Sequence, residues 1–300
     1  MIIIIFVYIT IIIIMGNCCS SKDSSTTKFF AIKLPHGTEY LYYDEDMGQF
    51  THHANINTFL QNLYYISNYT NYVVYNDDTS KIGDKHTKHG HSKGIVTWSK
   101  DKIGWLCHSV PNFPRNFDGR SISSIEPSDL IFGQSFQFIE IPYDTIILLS
   151  ILNQLHIMDV HIFMEKNNIL ANKLPCTLQF NVLKLTEDII HIAKPPTLKL
   201  DIYSKFIATK SKWKVQSWQR GHEIKDKCDN IHDIKTMFYS SNDMNIEYDS
   251  YQDHSKWAVS DNHYWVGDLN RMTSQFTRGG GGFICRDTRL ANCLNSIVRK

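Results

Sequence analysis

The sequence predicts a mixed α/β (α+β) protein whose strands assemble into large sheets. Short runs rich in β-branched and aromatic residues dominate the first half. Asn-, Asp- and Ser-rich breaks separate these runs, and helix-like segments lie between strands along the whole chain. The strands predicted in the first half are Phe29–Leu34, Tyr40–Tyr43, Tyr72–Tyr75, Gly94–Trp98, Gly104–His108 and Ser135–Ile141.

The same patterns predict the helices and the elements of the second half. Asn57–Ile66 and Thr145–Phe163 are predicted to be helical, although Thr145–Leu155 is equally consistent with a buried strand because so apolar a segment carries no decisive periodicity. The second half repeats the mixture, with strands at Thr177–Leu185 and Trp257–Ser260 and a helix around Leu198–Thr209. The sequence contains no short-period repeat, which excludes solenoids and propellers.

Composition and charge narrow the class of protein. The 300 residues are 42% hydrophobic and 20% charged, which excludes a disordered or fibrous chain. Lys and Arg number 31 against 30 Asp and Glu, and the formal net charge of +1 disfavours tight nucleic-acid binding at neutral pH. Protonation of all 14 histidines would add 14 to +1 and give +15. An acidic compartment and a polyanionic partner are consistent with this balance.

The N-terminus predicts entry into the secretory pathway. Ile2–Met15 is almost entirely apolar, yet it is shorter than the ~20 residues that a membrane-spanning helix needs, and small polar residues follow it. A signal peptide over residues 1–16 is favoured over a membrane anchor. Cleavage near Gly16 leaves no stable membrane association and predicts a lysosomal or extracellular location.

The cysteines and one sequon fit that route. An odd number of cysteines in a secreted chain predicts disulfides and at least one free thiol. The seven cysteines are Cys18, Cys19, Cys107, Cys176, Cys228, Cys285 and Cys293. Their spacing lacks the paired pattern of a zinc site, so no metal is expected. Asn68 begins the sequon Asn68-Tyr69-Thr70 and is a candidate for glycosylation.

Two stretches of similar form carry the chemistry. His91-Ser92-Lys93 and His254-Ser255-Lys256 are both His-x-Lys motifs, and they lie in opposite halves of the chain. Residues i and i+2 of a strand share a face, so each imidazole projects beside an ammonium. An imidazole serves as nucleophile or proton donor, and a lysine neutralises phosphate oxygens. The pairs therefore predict a metal-free phosphodiesterase centre with pseudo-twofold symmetry.

Other candidate residues are weaker. A third His-x-Lys, His86-Thr87-Lys88, is read as a chance occurrence in a loop. Asn270 follows the second motif in a polar turn, where its amide could bind phosphate, and the glycine run after Arg278 is either a phosphate-binding loop or a flexible turn. A basic segment with an aromatic residue is either a weak substrate-binding surface or a solvated helix face. Its residues are Lys210, Lys212, Trp213 and Lys214.

Several blocks, in order, resemble the signature of the deoxyribonuclease II family, the acid DNases. The strong blocks are His89-Gly90-His91-Ser92-Lys93-Gly94, Trp105-Leu106-Cys107-His108-Ser109-Val110-Pro111-Asn112-Phe113-Pro114, Gly133-Gln134-Ser135, Asp253-His254-Ser255-Lys256-Trp257, and Gly267-Asp268-Leu269-Asn270-Arg271 with its Arg-Gly-Gly-Gly tail. Weaker likeness covers Phe30-Ala31-Ile32-Lys33-Leu34-Pro35 and Tyr75-Asn76-Asp77. The resemblance extends from about residue 28 to residue 285.

The resemblance implies a fold similar to the phospholipase D superfamily. Each half would hold a central mixed sheet flanked by helices, with residues 17–150 carrying the first motif and residues 151–300 the second. It also implies cleavage of DNA at acidic pH without metal or cofactor, leaving 3′-phosphate ends. The matching catalytic positions are His91, Lys93, His254, Lys256 and Asn270. His108 is a further candidate, and a histidine packed at a strand end is an equal alternative.

The chain also departs from the family pattern. Ala258 and Trp265 stand where the family usually has cysteines, and Phe138 occupies another such position. By analogy with the superfamily, His91 is expected to attack phosphorus and His254 to protonate the leaving oxygen. Two alternatives stay open: a catalytically silent secreted homologue that binds DNA or a host protein, and a phospholipase D-like enzyme acting on phospholipid. The oligomeric state is not predicted.

Overall fold

The computed structural model describes residues 26–79, 84–85, 89–167, 179–218, 228–241 and 244–299. The predicted signal peptide and His86-Thr87-Lys88 lie outside the described residues. The first part of the chain forms β1 (Thr27–Lys33), β2 (Tyr40–Asp44), β3 (Gln49–His53), α1 (Ile56–Ser67), β4 (Asn71–Asn76), β5 (Asp78–Thr79), β6 (Asp84–Lys85), β7 (Lys93–Trp98), β8 (Lys102–His108), β9 (Gln134–Pro142), α2 (Thr145–Ile157) and β10 (Ile162–Lys166).

Eight of these strands form one antiparallel sheet in the order β10-β4-β7-β8-β9-β1-β2-β3. Strands β5 and β6 form a separate small ribbon. The predicted strands of the first half match β1, β2, β4, β7, β8 and β9, and the predicted helix Asn57–Ile66 matches α1. These predictions are confirmed to within one or two residues at nearly every end.

The second part of the chain builds a second large sheet. Its elements are β11 (Asn181–Lys184), β12 (Ile189–Lys194), β13 (Trp213–Gln216), β14 (Ile231–Asp233), β15 (Thr236–Ser241), β16 (Met244–Asp249), β17 (Trp257–Val259), β18 (His263–Gly267), β19 (Gly280–Arg286), α3 (Thr288–Ser296) and β20 (Val298–Arg299). The seven-stranded order is β11-β12-β19-β18-β17-β13-β14, in which β13 and β14 are parallel. Strands β16, β15 and β20 form a third sheet. The predicted mixed α/β fold built on two sheets is confirmed.

The two large sheets share one hydrophobic core. Strand β1 shows the alternation that allows this, because Phe30 and Ile32 point into the core shared with the second sheet while Phe29 and Ala31 point to the opposite face, which α1 covers. Trp105 of β8 crosses the shared core and lies 4.3 Å, between ring centroids, from His191 of β12. Helices α2 and α3 add further apolar side chains to this core.

The long helix predicted over Thr145–Phe163 is right for α2 and wrong beyond Ile157. Asp144 begins the helix as its N-cap and accepts hydrogen bonds from the backbone N–H groups of Ile146 and Ile147, at 2.7 and 3.0 Å. The chain turns at Asp159, which has a φ of 55°, and then enters β10. The alternative of a buried strand at Thr145–Leu155 is also wrong.

Two expectations for the second half are corrected. The glycine run forms the start of β19, buried in the sheet, rather than a phosphate-binding or flexible loop. A Cβ atom at Gly279 or Gly90 would collide with the Met158 carbonyl at the end of α2, so both positions require glycine. The helix expected around Leu198–Thr209 is reduced to one π-helical turn at Tyr203–Ile207, whose apolar side chains pack on the second sheet.

The described cysteines do not form the predicted disulfides. Cys107, Cys228, Cys285 and Cys293 are free thiols, while the remaining three lie outside the described residues. Ala258 and Trp265, the positions where the resembling family has cysteines, are cross-strand neighbours on β17 and β18. Both are fully buried in the core of the second sheet. A small and a large apolar side chain therefore pack at two positions where the resembling family usually has cysteines.

Strand β10 is the last strand of the first large sheet, and β11 is the first strand of the second. The chain therefore leaves one sheet after Lys166 and enters the other at Asn181. The division into halves at residue 150 stays a prediction. Asn68 is exposed and ends α1 in a left-handed conformation, so the sequon lies on the surface, and its glycosylation also stays a prediction. Among the described helices, none has both the length and the apolar character of a membrane span.

The capping of α2 gives a test of its helical assignment. Asp144→Ala removes the acceptor for two helix N–H groups and is expected to lower the free energy of unfolding by about 1 kcal/mol. Asp144→Asn keeps a capping oxygen and is expected to remain within a few tenths of a kcal/mol of wild type. Urea denaturation followed by circular dichroism measures both. Equal stabilities for the two variants would contradict the cap.

Candidate active site

Both His-x-Lys motifs lead into central strands, one in each large sheet. Lys93 is the first residue of β7, and Lys256 immediately precedes β17. The serines between the motif residues are fully buried beneath the site. The two motifs and Asn270 line one cavity of about 310 Å³. The structure thus brings together all five residues that the sequence predicts, while their catalytic role remains a proposal.

A reciprocal pair of backbone hydrogen bonds joins the motifs to the opposite sheet. The His91 N–H donates to the Gly279 carbonyl at 2.8 Å, and the His254 N–H donates to the Gly133 carbonyl at 2.9 Å. Gly133 immediately precedes β9, as Gly279 precedes β19. Each motif strand starts an antiparallel meander followed by a helix, β7-β8-β9-α2 and β17-β18-β19-α3. The site therefore has local pseudo-twofold symmetry.

A hydrogen bond at Nδ1 positions the His91 ring, and burial and nearby charges set its pKa. Its Nδ1 lies 2.7 Å from the Asp268 carbonyl oxygen, which can only accept, so Nδ1 carries the proton and Nε2 carries the lone pair. Burial lowers the pKa of His91 well below its ordinary value; Asp77 opposes this, and the positive charges of Lys93, Lys256 and Arg278 add to it. Neutral His91 is the form suited to nucleophilic attack.

His254 occupies a different environment from His91. The Phe132 ring stacks on it, with centroids 4.0 Å apart and planes 12° from parallel. The Trp218 ring lies on it at 4.1 Å and 53°. Two aromatic rings thus fix the plane of the His254 imidazole, where His91 is fixed by a hydrogen bond. The two imidazoles therefore have different surroundings: two aromatic rings pack against His254, and a carbonyl oxygen accepts the hydrogen bond of His91.

The two lysines also differ. Lys93 forms a buried ion pair with Asp77, whose second oxygen accepts a 2.8 Å hydrogen bond from Arg278. Although burial raises it, the charges of Lys93, His91 and Arg278 hold the pKa of Asp77 well below its usual range. Arg278 also donates to the His89 carbonyl and so attaches the first motif to the second half.

Lys256 has a carbonyl partner instead of a carboxylate. Its ammonium donates to the His254 carbonyl at 2.6 Å, and its side chain is only 4% exposed. Burial, and then the positive charge of Lys93, lowers the pKa of Lys256 to about 7. Two cations held so close in a buried site favour binding of an anion between them.

Two sets of contacts hold Asn270 in place: a hydrogen bond to its own side chain and the ion pairs of the adjacent Arg271. Its Oδ1 accepts a hydrogen bond from the backbone N–H of Trp218 at 3.2 Å, which leaves the Nδ2 group of Asn270 as its donor. The adjacent Arg271 is buried and pairs with Asp201 at 3.2 Å and Asp233 at 2.7 Å. This anchored turn holds the Asn270 amide in the wall of the cavity.

Asp268 lies beneath the first motif. Its Oδ1 accepts hydrogen bonds from the Lys93 N–H at 3.3 Å and from Cys107 Sγ at 3.5 Å. Burial raises the pKa of Asp268 to about 7, against the effect of these donors and of Ser92. Asp268 therefore supports the first motif through both its backbone carbonyl and its carboxyl group.

The weaker candidates lie elsewhere. His108 is buried at the end of β8 between Phe113 and Phe136 rather than in the cavity wall, and burial lowers its pKa to about 3. Trp213 is 2% exposed in the core of the second sheet, which disfavours the weak substrate-binding surface that the sequence offered as one alternative. Lys210 and Lys212 are exposed and Lys214 is partly buried, and none of the three lines the cavity.

Several residues of the site were not predicted as site residues, among them the four residues Asp77, Phe132, Trp218 and Arg278. All but Phe132 line the cavity, and Phe132 contacts His254 directly. Asp77 and Arg278 belong to blocks that resemble the family, which was the available signal. Phe132 directly precedes the block that begins at Gly133, and Trp218 follows the basic segment and lies outside every block. Within the described part of the chain, no cluster of three or more His, Cys, Asp or Glu side chains is arranged to hold a metal ion.

The Asp77 ion pair generates a stability prediction. Asp77→Asn leaves the Lys93 ammonium buried without its carboxylate and is expected to lower the free energy of unfolding by about 3 kcal/mol. Because the folded-state pKa of Asp77 is depressed, its contribution is present above ~pH 4 and is lost as the pH falls below that value. Chemical denaturation at about pH 7, 5 and 3 measures the difference between variant and wild type.

The matched control is the exposed ion pair between Arg299 and Glu247, whose side chains are 53% and 57% exposed. Glu247→Gln is expected to change stability by no more than ~0.5 kcal/mol at any of these pH values. A difference between Asp77→Asn and wild type that is as large at pH ~3 as at pH ~7 would contradict the assignment.

Comparison with known proteins places the site in context. The sequence model of the family described as Deoxyribonuclease II matches residues 17–300. Deoxyribonuclease-2-beta of Mus musculus is 30% identical, covering 90% of this chain and 87% of its own length, and the Rattus norvegicus protein of the same name is 28% identical over 90% and 88%. Cell death-related nuclease 6 of Caenorhabditis elegans is 28% identical, covering 99% of this chain and 93% of its own.

The matched region contains every described residue of the cavity, and the alignments cover most of each relative. The resemblance first seen in short blocks therefore extends across the sequence that forms both sheets. This chain belongs to the deoxyribonuclease II family.

Proposed function

We propose that this protein is a DNase II-like endonuclease that hydrolyses DNA phosphodiesters in acid without metal, through a phosphohistidine, and leaves 3′-phosphate ends. The observation that carries the proposal is the single cavity lined by His91 and His254, each beside its motif lysine. Family membership supports DNA as the substrate. The difference in support between the two histidines favours a division of roles.

In the first step, His91 Nε2 attacks the phosphorus atom and forms a P–N bond. The P–O5′ bond breaks, its electron pair goes to O5′, and protonated His254 donates a proton to that oxygen. The neutral state of His91 favours its role as the nucleophile, because an imidazolium has no free lone pair. An acidic medium favours the protonated form of a general-acid imidazole.

In the second step, His254 takes a proton from a water molecule whose oxygen attacks phosphorus. The P–N bond breaks, and its electron pair returns to His91 Nε2. The phosphate remains attached to O3′, so the product has a 3′-phosphate end. Both histidines return to their starting states. One pair of imidazoles thus performs both displacements, which divides a difficult reaction into two easier ones.

The cations and the amide stabilise the charge that develops on phosphorus. Lys93, Lys256 and Asn270 line the cavity and contribute two ammonium groups and one Nδ2 donor. Their fixed positions in a buried site mean that little reorganisation is needed as the phosphorane forms. Outside the cavity, protonation of exposed histidines would increase the attraction of the chain for DNA in acid.

We place the protein in the secretory pathway, with a lysosomal or extracellular destination. The apolar N-terminal run supports a signal peptide, and the acidic reaction supports an acidic compartment. The exposed Asn68 sequon is compatible with this route. The alternatives are a silent homologue that binds DNA or a host protein, and an enzyme that cleaves phospholipid. Intact motif pairs in one cavity favour turnover over silent binding.

One assay separates these three functions. Plasmid DNA is incubated with the protein in mildly acidic buffer containing EDTA, beside vesicles of phosphatidylcholine. Nicking of the plasmid is the expected result. DNA binding without nicking would support the silent homologue, and lipid cleavage without nicking would support the phospholipase. Loss of nicking in EDTA would contradict a metal-free reaction.

The histidine roles are tested with two substrates. His91→Ala and His254→Ala are each expected to lower cleavage of plasmid DNA by about 10³-fold. Thymidine 3′-(p-nitrophenyl phosphate) has a leaving group that departs without a proton. On this ester, His254→Ala is expected to recover the first step and to release about one equivalent of p-nitrophenolate in a burst, because its phosphohistidine still lacks the base for the second step, whereas His91→Ala stays inactive. Release of p-nitrophenolate measures both rates.

Both variants should retain wild-type circular dichroism and DNA binding, which separates chemistry from folding. Recovery of His91→Ala rather than His254→Ala on the activated ester would reverse the assigned roles. Undiminished cleavage of plasmid DNA by either variant would contradict the two-histidine reaction.

The alkaline limit of activity is expected to follow Lys256. Because the pKa of Lys256 is lowered to about 7, its ammonium loses its charge above that pH and binds phosphate less well. KM for a defined oligonucleotide is expected to rise between about pH 6 and about pH 8. Lys256→Arg keeps its charge throughout this range, so its KM should vary less with pH. Parallel KM profiles for the two proteins would contradict this role.

A further inference from the structure

Two buried lysines outside the cavity occupy matching places in the two sheets. Lys33 ends β1 and Lys194 ends β12, and both side chains are fully buried. Lys33 pairs across the sheet with Gln134, the first residue of β9. Lys194 pairs with Gly280, the first residue of β19. They are therefore related by the same local pseudo-symmetry that relates the His-x-Lys motifs.

Each ammonium donates to three backbone carbonyls. The Lys33 Nζ lies 2.7 Å from the Leu34 oxygen, 2.9 Å from that of Gly37 and 2.8 Å from that of Leu130. The ammonium of a lysine has three N–H donors, so these contacts use its full capacity. Hydrogen bonds from a charged donor are also stronger than those between neutral groups. Lys33 thus ties the start of one loop to a second loop nearly a hundred residues later.

Lys194 makes the corresponding set in the other half. Its Nζ lies 3.0 Å from the Leu198 oxygen, 3.1 Å from that of Phe276 and 2.6 Å from that of Arg278. Burial lowers the pKa of both lysines to about 8, so both keep their proton at neutral and acidic pH. A buried ammonium is costly unless its hydrogen bonds are complete, and here they are.

The loops that the lysines hold are those that contact the motif histidines. Leu130 lies just before Phe132 and Gly133. The Phe132 ring stacks on the His254 ring, and the Gly133 carbonyl accepts the hydrogen bond of the His254 backbone N–H. Arg278 lies directly before Gly279, whose carbonyl accepts the His91 N–H. Each lysine is therefore connected through one loop to the histidine of the opposite half: the lysine binds a carbonyl of that loop, and the loop contacts the histidine.

We infer that Lys33 and Lys194 are matched positioning residues: Lys33 orients His254, and Lys194 orients His91, each by fixing the loop whose glycine carbonyl holds that histidine. Neither lysine lines the cavity, so neither touches the substrate. The inference rests on the proposed function for its effect on catalysis. The orientation of the rings is a structural property that can be measured without turnover.

The experiment uses Lys33→Met and Lys194→Met in the full chain, with each protein labelled at histidine Cε1 with ¹³C. Methionine keeps a long apolar stem while removing the three donors. The control is Lys102→Met, which removes a half-exposed lysine paired with Glu140 on the first sheet. The His91 and His254 ring signals are assigned with single His→Gln variants.

A crossed pattern is expected. Lys33→Met should shift the His254 signal and leave that of His91 in place, and Lys194→Met should do the reverse. Each variant should lower kcat by about 10- to 100-fold, since small misplacement of a reacting group has effects of this size. The kcat value and both ring signals of Lys102→Met should match wild type.

General loosening of the fold would move both signals or neither in each variant, and that result would overturn the inference. A kcat within twofold of wild type in both lysine variants would also overturn it. If a methionine variant fails to fold, Lys33→Arg and Lys194→Arg retain charge and donors with altered reach, and the same crossed pattern is required of them. A crossed pattern in a protein that does not cleave DNA would uphold the positioning role and reject the proposed function.

Discussion

Two hydrogen bonds across the molecule, from the His91 and His254 N–H groups to the Gly279 and Gly133 carbonyls, are the constraint on which the site depends. Each connects the motif of one sheet to the loop that starts a strand of the other. Neither half contains all the contacts that fix its own histidine. The shared apolar core brings the sheets close enough for both bonds to form. The site is consequently complete only when the two sheets pack against each other.

Similar motifs acquire different properties from what surrounds them. The His91 ring is bound to a carbonyl and has several cations nearby, whereas the His254 ring packs against two aromatic rings. Lys93 has a carboxylate partner, and Lys256 has a backbone carbonyl. A symmetric frame therefore produces an asymmetric centre. The proposed two-step reaction needs this asymmetry, because in it one imidazole attacks while the other carries a proton.

Sequence reasoning was most successful where local patterns determine structure. Runs of β-branched and aromatic residues between polar breaks identified six strands of the first half, β1, β2, β4, β7, β8 and β9, and the helix α1 was also predicted. It failed where tertiary contacts decide, as at the buried Trp213, whose basic neighbours resembled a binding surface, and in the glycine run, which became a strand because other backbones approach it closely. The paired motifs predicted four core residues of the site, and the polar turn after the second motif supplied the fifth, Asn270. Phe132 and Trp218 were missed because only the folded chain brings them to His254.

The packing of Ala258 against Trp265 has a consequence for how the second sheet is held together. Apolar contact joins these neighbouring strands at positions where the resembling family usually has cysteines. Its strength depends on temperature and solvent but not on thiol–disulfide exchange. A reductant finds no bond to break between β17 and β18, so the strand that follows the second motif keeps its place in oxidising and reducing surroundings alike.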